Sequence, residues 1–227
     1  MLIPSISSNN MPEEERGTAH LFSHALSDLQ RYITDFAAAI SLMDIPVPEP
    51  KPNSDDHTTI IQWHFIAARD GAMSVYHFGK TLHALHSSYG SLLPTLWKAV
   101  DTNQFKIAWR LFDSQFPHID LIRHAVAHSG ELTRTPKDYE QNVVTGAYTG
   151  HGIKMGAGAS ATFTFLSNRT FVISIEKKVL AIEISMATLA KMDRCAMLFY
   201  SGLHPAPAGL VHRWPEDMIE SARRAAS

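Results

Sequence analysis

Residues 121–130, Leu-Ile-Arg-His-Ala-Val-Ala-His-Ser-Gly, set an arginine and two histidines inside an otherwise apolar helical run that stops at a glycine. Arg123 is a permanent cation whose planar fork of donors suits phosphate oxygens. His124 and His128 carry the side chain best able to move a proton near neutral pH. Polar groups among Leu, Ile, Val and Ala are costly, and a plain core helix would hold none. The combination points to phosphate chemistry without a metal.

Working outward, Pro117 is expected to open this helix and Gly130 to cap its end. Upstream, short helices are predicted over 94–100 and 103–114, with Phe105, Ile107, Ala108, Trp109, Leu111 and Phe112 facing inward. Before them, the longest helix is predicted over 57–88, ending at Tyr89-Gly90-Ser91. Its seam of Ile61, Phe65, Ala68, Ala72, Val75, Gly79 and Leu82 alternates steps of four and three, which predicts a central strut ~45 Å long. Gly71 and Gly79 allow close packing on it, at a cost in helix propensity. Ser54, Asp55 and Asp56 can cap its start. The prolines at 46, 48, 50 and 52 forbid helix and predict an extended spacer. Ahead of that spacer, Leu21, Phe22, Ala25, Leu26, Leu29, Ile33, Phe36, Ala37 and Ile40 recur at helical spacing and predict an amphipathic helix over 18–42. Residues 1–16 are polar and are expected to fray.

Downstream the period changes. Gly146, Gly150, Gly152, Gly156 and Gly158 predict a flexible connection. Alternating apolar residues then predict strands over 161–166, 170–176 and 179–184, with turns at Ser167-Asn168-Arg169 and Lys177-Lys178. Ser185 can cap a last helix ending near Gly202, and a further helical pattern falls over 217–226. The expected architecture is mainly α, with a flexible N-terminus over 1–16 and one helical domain over 17–203. A small antiparallel β meander at about 160–184 precedes the last helix of that domain, and a tail follows over 204–227.

At 227 residues the chain can bury a substantial core, and its hydrophobic share of 45% is that of a globular protein. No apolar run approaches the ~18 residues that span a bilayer. The first residues lack the basic region and apolar core of a secretion signal. The single cysteine, Cys195, cannot form an internal disulfide, so a cytoplasmic setting is expected. Its neighbours Met192 and Met197 suggest packing. Residues 1–59 hold three basic side chains against nine acidic ones, and residues 60–227 hold seventeen against thirteen. That balance is no polybasic coat, and DNA is not an expected partner.

Arg123 and His128 form R-x4-H. At ~100° per residue they lie ~140° apart around a helix, whereas His124 and His128 nearly share a face. They can converge on one ligand only if the helix loosens before Gly130 or a partner chain completes the site. The plain structural alternative pairs Arg123 with a carboxylate such as Asp70 and lets His128 cap the helix end.

The stretch from Leu121 to His128 resembles the signature of the HEPN superfamily. These are up-and-down helical bundles marked by an arginine, four to six residues and a histidine, often with a polar residue, here His124, directly after the arginine. The resemblance covers residues 18–203. Ala68-Arg69-Asp70-Gly71-Ala72 and the β insertion are similar to uncharacterised bacterial members of the abortive-infection branch. Many HEPN proteins are metal-independent ribonucleases, so the resemblance implies an endoribonuclease cutting single-stranded or loop RNA to 2′,3′-cyclic phosphate ends, as a toxin or phage-defence component. His128 would serve as general base or acid, Arg123 would stabilise the phosphorane, and His124 would orient the phosphate or assist proton transfer. Arg69 and Asp70 would support them. No cofactor is implied. A homodimer and a cognate antitoxin are the implied protein partners. Other members of the family only bind nucleotides, RNA or proteins.

A metal site competes with this reading. His124-x3-His128 has helical ligand spacing, and Glu131 or one of His77, His83 and His86 is the candidate to complete it. A zincin is excluded, because Ala125 occupies the position of the catalytic Glu. Gly150-His151-Gly152-Ile153-Lys154 lacks the Gly-Lys-Ser/Thr ending of a P-loop.

Overall fold

Helical periodicity carries most of the chain, and the result is a mainly helical fold with small antiparallel sheets. The computed structural model describes residues 3–51, 54–129 and 131–212. Gly130, predicted as a helix cap, and the helical pattern over 217–226 lie outside the described residues. The two long helices are α1 (Glu13–Met43) and α2 (Asp56–Ser87). Short helices α3 (Pro94–Trp97) and α4 (Thr102–Gln115) follow, then α5 (Ile119–Ala127) and α6 (Pro136–Asn142). The last described helix is α7 (Met186–Gly202). No helix among the described residues is long and apolar enough to cross a membrane.

Contacts divide the chain into two compact units, and α1, α2 and α7 contribute residues to both. The first unit takes Met1–Thr34, His77–Pro117 and Ala190–Ser227. Its core is aromatic. Phe105 stacks on Phe199 with centroids 4.1 Å apart, and Phe22 meets Tyr89 edge-on at 5.1 Å. The N-terminal segment predicted to fray is tied down instead. Strand β1 (Ser5–Ile6) pairs antiparallel with a strand at Val211–His212, and Met11 is buried. The helix starts at Glu13, and Glu15, itself buried, accepts hydrogen bonds from the backbone N–H of Thr95 and from its hydroxyl at 2.6 Å. Polarity there reflects a specific partner and not solvation. Two predicted inward residues turn outward: Leu21 is 62% exposed and Ile107 40%.

The second unit takes Asp35–Tyr76 and His118–Leu189. At its centre β6 (Thr164–Ser167), β7 (Thr170–Ile175) and β8 (Lys178–Glu183) form a three-stranded antiparallel sheet in that order. Strand β7 is flanked on both edges, and Phe171 through Ile175 are buried. The turn Glu176-Lys177 has both residues at positive φ, 50° and 61°, the backbone of a two-residue hairpin whose twist matches its strands. Arg169 fastens this sheet to the end of α1. Its guanidinium donates to the carbonyls of Ile184 at 2.9 Å and Ile40 at 3.3 Å and pairs with Asp44. Gly71 lets α2 approach closely here, since a Cβ would sit 2.9 Å from Ile184 Cδ1 and 3.4 Å from Ala39 Cβ. At the solvent end of α2 the predicted seam fails, and Ile61 is 45% exposed.

The glycine-rich segment is more ordered than predicted. β2 (Val144–Thr145) pairs with β5 (Ser160–Ala161), and β3 (Tyr148–Gly150) with β4 (Ile153–Met155). His151 and Gly152, both at positive φ, turn the latter hairpin, so the glycine marks a tight turn where a loop was predicted.

Candidate functional site

The site is built on α5. His118, in the left-handed region at φ 68°, swings the chain into this helix, so Pro117 lies outside it and does not open its first turn as predicted. Ile119, Ile122, Ala125 and Val126 are buried, and α5 packs against β7. Apolar residues at three- and four-residue spacing thus fix which way the intervening polar side chains point. Arg69 on α2 donates from Nη2 to the carbonyl of Val126 at 3.2 Å. That bond satisfies an acceptor in the last turn, where helices leave carbonyls without intrahelical partners.

Arg123 and His128 do not converge within this chain. The Arg123 guanidinium lies over the ring of Tyr76, 5.5 Å from its centroid, and its Nε is buried with no hydrogen-bond partner among the described residues. The predicted pairing with Asp70 is absent: Asp70 is exposed, and no hydrogen bond or ion pair joins it to Arg123 or His128. Stacking on an aromatic face accounts for the position of Arg123, because a guanidinium is weakly hydrated and planar.

His124 and His128 do come together, with ring centroids 4.7 Å apart. His128 has already left the helix, with φ −116° and ψ 24°, while its N–H still bonds to the carbonyl of His124 at 3.0 Å. Its Nδ1 lies 3.1 Å from Oε2 of Glu131, whose own N–H donates to the His128 carbonyl at 2.8 Å. Both imidazoles line an open cleft of about 780 Å³. The facing walls come from α6 and from the β7–β8 turn, and they bring Lys137, Asp138, Glu140, Asn142, Glu176 and Lys177. Arg123 is not among the lining residues. With Glu131, the described residues that line the cleft bring four carboxylates against two lysines.

Asn142 escaped the sequence reading, although it joins three walls of the cleft. It is buried, donates from Nδ2 to the carbonyls of Leu132 at 3.2 Å and Asp138 at 2.9 Å, and accepts at Oδ1 from the N–H of Glu176 at 3.1 Å. The helix that carries it did have a legible start. Thr135-Pro136-Lys137-Asp138 forms a full capping box, with Pro136 in the first turn. Reading that signal would have placed Lys137 and Asn142 on a helix next to the histidines.

The metal alternative is not assembled. Among the described residues no group of three or more His, Cys, Asp or Glu side chains is arranged to hold an ion, so His124, His128 and Glu131 do not form a ligand set. The carboxylate of Glu131 is engaged with His128 Nδ1. His77, His83 and His86 belong to the first unit, where His77 stacks on Tyr32 and His83 lies tilted against Trp109. Cys195 is buried and free, and burial pushes its thiol up to about 12, which disfavours the nucleophilic thiolate near neutral pH.

No family model, curated protein or solved structure matches this chain. Its functional reading therefore rests on the chemistry of the residues themselves.

Proposed function

We propose that the chain is a HEPN-type helical protein whose His124–His128 cleft cleaves RNA without a metal. The observation that carries this reading is a pair of adjacent imidazoles opening on a cleft, one of them held by a carboxylate. Two imidazoles can carry both proton transfers of a transesterification. One takes the proton of a ribose 2′-hydroxyl as that oxygen bonds to the neighbouring phosphorus. The other gives a proton to the 5′-oxygen as the P–O5′ bond breaks. The products are a 2′,3′-cyclic phosphate and a 5′-hydroxyl, and only RNA can react. In-line attack favours single-stranded or loop RNA, whose backbone can splay. Charge on the phosphorane needs a cation. In this reading Arg123 of a second copy supplies it across a twofold, which answers the divergence of Arg123 and His128 on one helix. The supporting roles expected of Arg69 and Asp70 are revised: Arg69 secures the helix end, and Asp70 forms no hydrogen bond or ion pair with Arg123 or His128. A cytoplasmic toxin or defence nuclease, held in check by an antitoxin, is the setting this chemistry fits.

A second reading, a non-catalytic HEPN module that binds nucleotide, RNA or protein, is favoured by one specific observation. Four carboxylates outnumber two lysines in the cleft, which disfavours a polyanion. One experiment separates the two. Wild type and the variants Arg123→Ala, His124→Ala and His128→Ala are incubated with mixed RNA in EDTA, and product ends are analysed. The nuclease reading expects cyclic-phosphate ends from wild type and a loss of about 10²-fold or more in His128→Ala. It also expects partial recovery when Arg123→Ala and His128→Ala are mixed, because one mixed site is intact. No cleavage by wild type leaves the binding module.

A further inference from the structure

We infer that Glu131 is a positioning residue that fixes the tautomer of His128, leaving Nε2 as the nitrogen presented to the cleft. This assignment rests on the reading of His128 as the working imidazole. An ionised carboxylate can only accept, so the 3.1 Å contact between Glu131 Oε2 and His128 Nδ1 requires a proton on Nδ1. In the neutral ring the lone pair then sits on Nε2, the form of a general base.

An exposed carboxylate on a free loop would hold a histidine weakly, because the entropy of ordering two side chains offsets the bond. Here the backbone on both sides of the pair is already fixed. His128 N–H bonds back to His124, and Glu131 N–H bonds back to His128. The next residue, Leu132, is buried, and its carbonyl is held by the side chain of Asn142. Asn142 in turn holds the N–H of Glu176 on the opposite wall. The carboxylate is thus delivered from a residue whose own N–H and whose successor are both held, and the same amide sets the cleft wall that faces the imidazole.

The test reads the tautomer directly, without RNA. Long-range ¹H–¹⁵N spectra of the full chain are recorded at a pH where the imidazoles are neutral, and the His128 signals are identified by their loss in His128→Ala. The expected result is an Nδ1–H, Nε2-lone-pair pattern in wild type. Glu131→Ala should move it toward the Nε2–H form that free imidazole side chains favour, and Glu131→Gln, which can donate as well as accept, should give a mixture. An Nε2–H ring in wild type, or an unchanged pattern in Glu131→Ala, overturns the assignment. RNA cleavage is measured separately. A 10- to 100-fold fall in kcat with KM unchanged in Glu131→Ala supports the role. If the tautomer shifts while wild type cleaves no RNA, the positioning role stands and the nuclease reading is what fails.

Discussion

Replacing Gly79 by alanine tests whether the first unit is packed as tightly as described. Gly79 lies within α2, where alanine in place of glycine adds about 1 kcal/mol of helix stability. A Cβ at this position would lie 2.2 Å from Cε1 and 2.3 Å from Cζ of Phe112. Ordinary carbon contacts sit near ~3.5–4.0 Å, so the ring would have to retreat by more than about 1 Å. Retreat is blocked. Phe112 is 2% exposed, and its ring is held by Phe116 at 4.9 Å, Phe78 at 5.8 Å and Trp109 at 6.0 Å. Overpacking of this kind costs about 1–3 kcal/mol, and a rigid aromatic neighbour puts it at the upper end. Subtracting the propensity gain leaves a net loss of about 2 kcal/mol, or a fall of about 1 M in the urea midpoint at an m-value of ~2 kcal/mol/M. Gly71→Ala is the control. It carries the same propensity gain, but its nearest neighbour is the flexible end of Ile184, so its stability should stay within about 1 kcal/mol of wild type. The double variant Gly79→Ala/Phe112→Leu should recover part of the loss, because the clash and its partner are removed together. A Gly79→Ala protein as stable as Gly71→Ala would refute the close approach of α2 to Phe112.

Four further outcomes follow from particular contacts. Arg69→Met keeps the length of the side chain but removes the donor to the Val126 carbonyl, so amide exchange at His128 should accelerate and stability fall by about 1–2 kcal/mol. Asn142→Leu leaves the Leu132 and Asp138 carbonyls and the Glu176 N–H without their partner, and the melting temperature should drop by roughly 5–10 °C in calorimetry. Cys195, with its thiol pushed up to about 12 by burial, should react with a thiol reagent at pH 8 only as fast as the protein unfolds. Burial raises the carboxyl of Asp193, so its contribution to stability is greatest below the unfolded carboxylate range and is lost as pH rises through the folded value. Asp193→Asn should therefore raise the urea midpoint at pH 7, and the gain should vanish toward pH 3.

Periodicity made the helices and the central sheet readable, because one face of each must be apolar. The α1 stripe from Phe22 to Ile40, the α2 seam from Ala68 to Leu82 and the alternation of β7 and β8 all report burial directly. Failures came where a polar residue is held by a partner on another segment of the chain. Glu15 looks solvated in sequence, yet it is buried because Thr95, eighty residues away, donates to it. Asn142 looks like an ordinary loop amide, and its three partners lie on separate segments. Tyr76, the residue that receives Arg123, sits forty-seven positions upstream and carries no local mark of that role. The proximity of His124 and His128 was legible, since it needs only the pitch of one helix. The carboxylate on His128 was not, because it depends on a chain that has already left the helix.

The angle between Arg123 and His128 decides how the motif can act. Five residues of helix separate them by ~140°, and leaving the helix at His128 does not close that gap. Two of the apolar residues between them, Ala125 and Val126, are buried, so the helix cannot rotate to bring both into one cleft without exposing its own core face. The chain therefore commits Arg123 to Tyr76 and the imidazoles to the cleft, as two separate features of one helix. A phosphate entering the cleft meets two lysines and four carboxylates, and the arginine of the same chain does not offset that excess. If Arg123 takes part in catalysis, it does so in a second molecule, and activity must depend on protein concentration through the dimer. If cleavage is instead linear in enzyme and indifferent to Arg123→Ala, the histidines act with Lys137 or Lys177 alone, and R-x4-H describes the packing of α5 and not its chemistry.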